Sequence, residues 1–274
     1  MNFFKMAALA VLVMTLGGLT YSTKAQAKSY MISGHEVHDY ILNDFQYYKV
    51  KRATSLRFLY SNNTTKERTV PKGTIIIGHK YKGSSVEKPS ISIYLSQLDY
   101  NFLNKERPKH LELLSISGTI SSSRPQDYQR IARPTYLPAL SLGDFKQVKF
   151  RTDLTSDIKI YSQLRITSNG FAEFSRFKNP GAINGSQRPQ FRQKVQKSTN
   201  KGNTRQLYFA KEIPGLGMKK IKQTGKLKYR LTIVNQHQPF EYNGGSEDPN
   251  QLFYSRYTVG GKKFVTQIWL VLRK

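Results

Sequence analysis

Two places where strand-like stretches meet at a glycine turn constrain the fold of this chain more than any other feature. Leu164-Arg165-Ile166-Thr167 and Phe171-Ala172-Glu173-Phe174 flank a turn centred on Asn169-Gly170. Phe253-Tyr254-Ser255-Arg256-Tyr257-Thr258-Val259 turns at Gly260-Gly261 and returns as Phe264-Val265-Thr266-Gln267-Ile268-Trp269. A period of two sends successive side chains to opposite faces of a strand, and Asn-Gly or Gly-Gly supplies the positive φ of a tight hairpin. Shorter runs of the same kind recur: Tyr48-Lys49-Val50-Lys51, Thr74-Ile75-Ile76-Ile77, Ser90-Ile91-Ser92-Ile93-Tyr94, and the stretches 55–60, 111–116, 148–151, 158–161, 207–210 and 227–234. They are β-branched or aromatic and bounded by Gly, Pro, Asn or Lys clusters, so an all-β chain is expected.

Three stretches depart from that pattern. Ser33 with Glu36 three residues on forms a capping box, and Val37, Tyr40, Ile41 and Phe45 follow at helical spacing, which predicts one short helix over residues 34–45. Residues 121–144 carry Pro125, Pro134 and Pro138 with little periodicity and read as a linker. Residues 179–203, dense in Gly, Asn, Gln, Ser and Arg, read as a loop insertion. The expected organisation is a leader at 1–27, a helical segment at 28–46, a first β module at 47–120, the linker at 121–144, and a second β module at 145–274 that carries the basic insertion at 179–203.

The leader reads as a secretory signal. Lys5 precedes an apolar stretch at 6–16, and Ala25-Gln26-Ala27 offers the small-x-small pattern of a cleavage site at Ala25 and Ala27. The stretch is shorter than the roughly 20 residues of a spanning helix, so no transmembrane segment is expected in the mature chain. No Leu-Pro-x-Thr-Gly sorting signal occurs; Leu137-Pro138-Ala139-Leu140 breaks the pattern. An exported chain without anchor is secreted and extracellular, and stays at the cell wall only if held non-covalently. The absence of Cys excludes a disulfide framework, a thiolate metal site and a cysteine nucleophile.

Charge then points to a partner. The chain has 44 Lys plus Arg against 17 Asp plus Glu, a net charge of +27, and loss of Lys5 and Lys24 with the leader lowers it to +25. The excess is uneven: between Arg176 and Arg230 stand 15 cations and one acid, Glu212. Like charges so close together repel, and an anionic polymer relieves that repulsion while releasing its own condensed counterions. The expected polyanion-binding residues are Arg188, Arg192, Lys194, Lys197, Lys201, Arg205, Lys219, Lys220, Lys222, Lys226, Lys228 and Arg230. For a chain exported from a Gram-positive cell the first such polymers are wall teichoic and lipoteichoic acid. Host glycosaminoglycan and extracellular nucleic acid are the other partners this charge would serve. Tyr208, Phe209 and Tyr229, interleaved with the cations, could stack on sugars or bases, or belong to the strand core.

Two longer segments carry a resemblance. Lys49-Val50-Lys51-Arg52-Ala53-Thr54-Ser55-Leu56-Arg57, followed by Thr69-Val70-Pro71-Lys72-Gly73-Thr74-Ile75-Ile76-Ile77-Gly78, resembles the opening half of a bacterial SH3-like wall-binding module. Thr232-Ile233-Val234-Asn235, Phe240-Glu241-Tyr242 and Tyr257-Thr258-Val259-Gly260-Gly261-Lys262-Lys263-Phe264 are similar to the repeats of basic S-layer-associated proteins of lactobacilli, although Asn243-Gly244-Gly245 replaces the usual Asn-Gly-Lys run. The resemblance implies a small secreted lactobacillar surface protein with SH3-like barrels, held on the wall by charge, and assigns no ligand-contacting residue. The helix at 34–45 belongs to neither pattern, and with it the expected fold is mainly β, two small SH3-like or barrel/sandwich modules with one short N-terminal helix.

Enzyme signatures are sparse. His35 and His38 lack the i, i+4 spacing of a helical zinc pair, no Gly-x-Ser-x-Gly elbow occurs, and the acids are spread singly. No catalytic residue, metal or cofactor is therefore expected. A secreted enzyme acting on an anionic or wall substrate is the alternative, one that would need acids or histidines converging in a cleft.

Overall fold

Antiparallel pairing of alternating runs accounts for nearly all of the secondary structure. The computed structural model describes residues 29–32, 35–38, 46–59, 65–81, 90–94, 97–104, 117–120, 127–138, 143–149, 158–178, 188–243 and 250–272. β1 (Ser29–Ile32) pairs with β2 (His35–His38), placing Ile32 opposite His35. This corrects the expected N-terminal helix, whose first described residues are a strand. Tyr30 and Val37, direct partners, are good strand formers, and Ser33-Gly34 in sequence suits a strand connection as well as a helix cap. The rest of that expected helix (33, 34 and 39–45), the expected leader and the expected strand at 111–116 lie outside the described residues.

A five-stranded sheet follows, built on β3 (Gln46–Val50). Tyr47 and Tyr48 are adjacent yet both buried, so this strand is covered on both faces. β4 (Thr54–Leu59) and β5 (Thr65–Val70) form a separate hairpin. β6 (Ile75–Tyr81) returns beside β3, β7 (Ser90–Tyr94) lies beyond it, and the short helix α1 (Tyr100–Asn104) precedes β8 (Ser117–Ile120) on the outer edge. β9 (Tyr128–Ile131) closes the other edge against β3. Part of the expected linker is thus a strand. Its signal was the single buried Tyr128, whose hydroxyl donates to Thr54 Oγ1 at 3.0 Å.

The second sheet has ten strands and curls into a half-barrel. β10 (Asp144–Lys149), β11 (Lys159–Ile166), β12 (Phe171–Arg176) and β13 (Phe191–Lys194) form one meander. β14 (Lys197–Lys201), β15 (Thr204–Phe209), β16 (Lys219–Lys220), β17 (Tyr229–Asn243), β18 (Asn250–Val259) and β19 (Lys262–Leu272) form the other. The two meet where β10 pairs β19, Lys146 opposite Val265. β13 and β14 occupy the described end of the expected loop insertion, which is corrected accordingly. Phe191 and Val195, its few apolar residues there, pack against the core, and Gly202-Asn203 joins β14 to β15.

Phe145, Leu164, Phe174, Leu207, Phe209, Leu231, Ile233 and Phe264 fill the inside of the curl. Tyr47 and Ile77 of the smaller sheet belong to the same buried cluster. Ile213 and Leu216 plug one end, both fully buried, and their loop presses on the Gly260-Gly261 turn. The turn needs glycine twice, at φ 55° and 80°. A Cβ on Gly260 would lie 1.5 Å from the Leu216 carbonyl oxygen, whereas one on Gly261 meets nothing within 4 Å. Gly260→Ala is therefore expected to cost about 2–4 kcal/mol, combining left-handed strain with overpacking. Gly261→Ala carries the first part alone, about 1–2 kcal/mol. Equal losses in urea unfolding of the two variants would refute the close contact.

One irregularity interrupts β17. Asn235 is opposite Tyr257 and Pro239 opposite Ser255, so residues 236–238 stand against the single Arg256. His237, at φ 50°, is the one described non-glycine residue with positive φ, and its N–H donates to Asn235 Oδ1 at 2.9 Å. His237→Gly removes the left-handed penalty and is expected to raise stability by about 1 kcal/mol; a loss on thermal unfolding would count against that.

Candidate anion-binding face

Register, more than sequence proximity, decides which cations gather. Lys197 of β14 is opposite Tyr208 of β15, Tyr208 is opposite Arg230 of β17, and Arg230 is opposite Lys219 of β16. These four residues form one lateral row. Leu207, Phe209 and Leu231, their chain neighbours, face the core, so the row faces outward. Strands about 4.8 Å apart make the row roughly 15 Å long. A parallel row on the same face runs through Lys201, Thr204, Val234, Thr258 and Lys263. The turn joining β16 to β17 adds Lys222 and Lys226, both exposed, and Lys228.

The first row is electrostatically unbalanced. Lys219 and Arg230 are direct cross-strand partners of one sign, a pairing that destabilises a sheet. None of the seven cations Lys197, Lys201, Lys219, Lys222, Lys226, Lys228 and Arg230 pairs with a carboxylate among the described residues, and Arg230 Nε is buried without a hydrogen-bond partner. Tyr208 lies between Lys197 and Arg230 with its hydroxyl donating to Gln206 Oε1 at 2.8 Å. The edge of its ring is thus fixed, while the cations around it are not.

Other expected binding residues are placed differently. Arg192 belongs to an alternating row, Asp144, Arg165, Glu173, Arg192, one residue from each of β10 to β13. Arg165 places Nε and Nη2 on Glu173 Oε2, the former at 3.1 Å. Arg192 Nη2 reaches Asp99 Oδ1 at 2.6 Å, its Nε lies 3.7 Å from Glu173 Oε1, and its guanidinium covers the Phe171 ring at 3.5 Å. The Tyr100 amide donates to Glu173 Oε1 at 2.6 Å, sealing the row beneath the start of α1. Lys194 donates to the Asn169 carbonyl at 2.5 Å, and burial, more than its charged neighbours, lowers its pKa. Arg205 points the other way from the rows, donating to the Thr135 carbonyl at 2.5 Å, and burial pulls its pKa down to about 10. Arg188 is exposed at a cavity of about 610 Å³ beside Asp99, and Lys220 is exposed on β16.

Comparison with family models, curated proteins and solved structures gives no match. The chemistry of the face is thus argued from its own residues. Sequence reasoning finds the cations of β14, β16 and β17 but misses Lys146, Arg256 and Lys263, which join the same outer face from β10, β18 and β19. Their signal was alternation: Arg256 and Thr258 flank buried Tyr257, and Lys263 and Val265 flank buried Phe264. No described helix is long and apolar enough to cross a membrane.

Proposed function

We propose that the chain is an exported, non-enzymatic surface protein that binds anionic wall polymers, teichoic and lipoteichoic acid, through the outward rows of its larger sheet. The observation that carries this reading is the direct pairing of Lys219 with Arg230 and the lack of any described carboxylate on either. That arrangement lowers stability in isolation, and a polymer of regularly spaced phosphates offsets it. In this reading residues 1–27 are a cleaved leader, the smaller sheet is the SH3-like element of a lactobacillar wall protein, and charge replaces a covalent anchor. Arg192, Lys194 and Arg205 serve the fold, while Lys197, Lys201, Lys219, Lys222, Lys226, Lys228 and Arg230 meet the polymer.

A secreted enzyme is the weaker reading. Asp99 and Glu173 are the acids that converge beside a cavity, but both are engaged by arginines and backbone amides. The test is retention of purified protein on isolated walls. Concentrated salt, or prior removal of teichoic acid, is expected to release it; retention through both treatments overturns the proposal. Competition by heparin and DNA at matched ionic strength ranks the other polyanions.

A further inference from the structure

A concavity of about 420 Å³ lies on the outward face where the two meanders join. Its floor is Val265, only 8% exposed. Register surrounds that valine with cations: Arg256 is its partner on β18, Lys146 its partner on β10, and Lys263 lies two residues back along β19 on the same face. One wall is the β17 irregularity, which contributes Gln236 and Gln238. The volume falls in the range of about 300–1,000 Å³ typical of small-molecule sites.

Several contacts hold this site in shape. The Arg256 guanidinium lies 4.1 Å from the centre of the Phe240 ring, which itself stacks on Tyr254 at 5.8 Å. Gln236 Nε2 donates to Thr258 Oγ1 at 2.9 Å, leaving its carbonyl oxygen directed elsewhere. His237 keeps its positive φ between the two glutamines, and Asn203 Nδ2 steadies the base of the irregularity through the Asn235 carbonyl at 3.2 Å. Strain of this kind persists where surrounding structure enforces it, and it concentrates at binding sites. Asp144 Oδ2 lies 3.4 Å from Lys146 Nζ, and among the described residues no carboxylate pairs with Arg256 or Lys263.

We infer that this concavity binds the phosphate ester of a polyol, one unit of the polymer that the rows hold by charge. The tetrahedral oxyanion sits among Arg256, Lys263 and Lys146, which line the concavity from three strands. The carbon skeleton lies on Val265, and its hydroxyls meet the two glutamine carboxamides, each able to donate and accept. The inference rests on the reading of the face as a polymer-binding surface and adds chemical selectivity to it. The rows see only charge spacing; the pocket distinguishes a polyol phosphate from a bare anion. Lys201 and Lys263 end the same lateral row, so a chain lying along it enters the pocket without leaving the face.

The test is titration calorimetry of the full chain with sn-glycerol 3-phosphate, inorganic phosphate and glycerol, alongside binding of purified polyglycerol-phosphate polymer. Glycerol phosphate is expected to bind with one-to-one stoichiometry and glycerol not at all. Arg256→Gln with Lys263→Gln should weaken it at least tenfold, as loss of charge-assisted bonds implies. Gln236→Ala with Gln238→Ala should weaken glycerol phosphate roughly fivefold while leaving inorganic phosphate unchanged. Absence of saturable binding, or binding indifferent to Arg256 and Lys263, overturns the site. Equal loss of both phosphates in the glutamine variant overturns polyol recognition. Polymer binding that survives those results leaves the surface reading intact, whereas glycerol phosphate binding without polymer binding removes the surface reading and keeps the pocket.

Discussion

Glu173→Ala is expected to lower the unfolding free energy by about 3–5 kcal/mol, the range for breaking a buried ion pair from one side. Glu173 is 3% exposed and receives Arg165, Arg192 and the Tyr100 amide. Removing it leaves two guanidinium groups facing each other across β12, with Asp99 paired to Arg192 and Asp144 opposite Arg165. It also releases the start of α1, because Asp99 both caps that helix, through the Asn101 amide at 3.1 Å, and pairs with Arg192. Glu173→Gln keeps an acceptor for the Tyr100 amide and should lose less. Urea unfolding with a fixed slope measures both. A loss under about 1 kcal/mol for the alanine variant would mean that solvent reaches the row and the pair behaves like a surface one.

The second large effect is on binding. Replacing Lys197, Lys219 and Arg230 together by Gln should reduce the slope of log affinity against log salt by roughly 2–3, since each phosphate contact contributes about 0.7–0.9. Stability should hold or rise, because Lys219 and Arg230 no longer repel across the strands. Arg205→Gln is the control. It removes a cation from the same sequence segment but from the other side of the sheet, where it serves the Thr135 carbonyl. Its slope should match the parent, and its stability should fall. An unchanged slope in the triple variant, measured on teichoic acid polymer across a salt series, moves the binding surface elsewhere.

The hairpins were legible because their turns need glycine for a local reason. Gly260-Gly261 and the Asn169-Gly170 turn fix their registers without help from the rest of the chain. The segment with β13 and β14 was not legible, since polar strands such as Lys197-Ser198-Thr199-Asn200-Lys201 owe their pairing to β15 and not to their own pattern. The Gly202-Asn203 pair was the local clue. The expected N-terminal helix failed for the opposite reason: a capping pattern and a strand connection share the same Ser-Gly residues. For the site, composition located the charge but not its direction. Arg192, Lys194 and Arg205 are indistinguishable in sequence from Lys197 and Lys201, and only cross-strand pairing separates cations that bond to acids or backbone carbonyls within the fold from those left facing outward.

The seam between β10 and β19 sets an order of assembly. Each meander pairs strands close in sequence and can zip up as soon as its residues are available, whereas Lys146 must wait for Val265. Distant pairings form slowly because the intervening chain must be closed first. Until β19 arrives, Phe145 and Phe264 belong to two separate, unsealed apolar faces. Protection of the β10 amides in pulsed hydrogen exchange is expected to lag that of the β11–β12 hairpin; simultaneous protection would show that the halves collapse as one. On the proposed export route, a chain that leaves the cell unfolded would thus reach its final shape outside, at the moment its latest strand slots into the middle of the sheet.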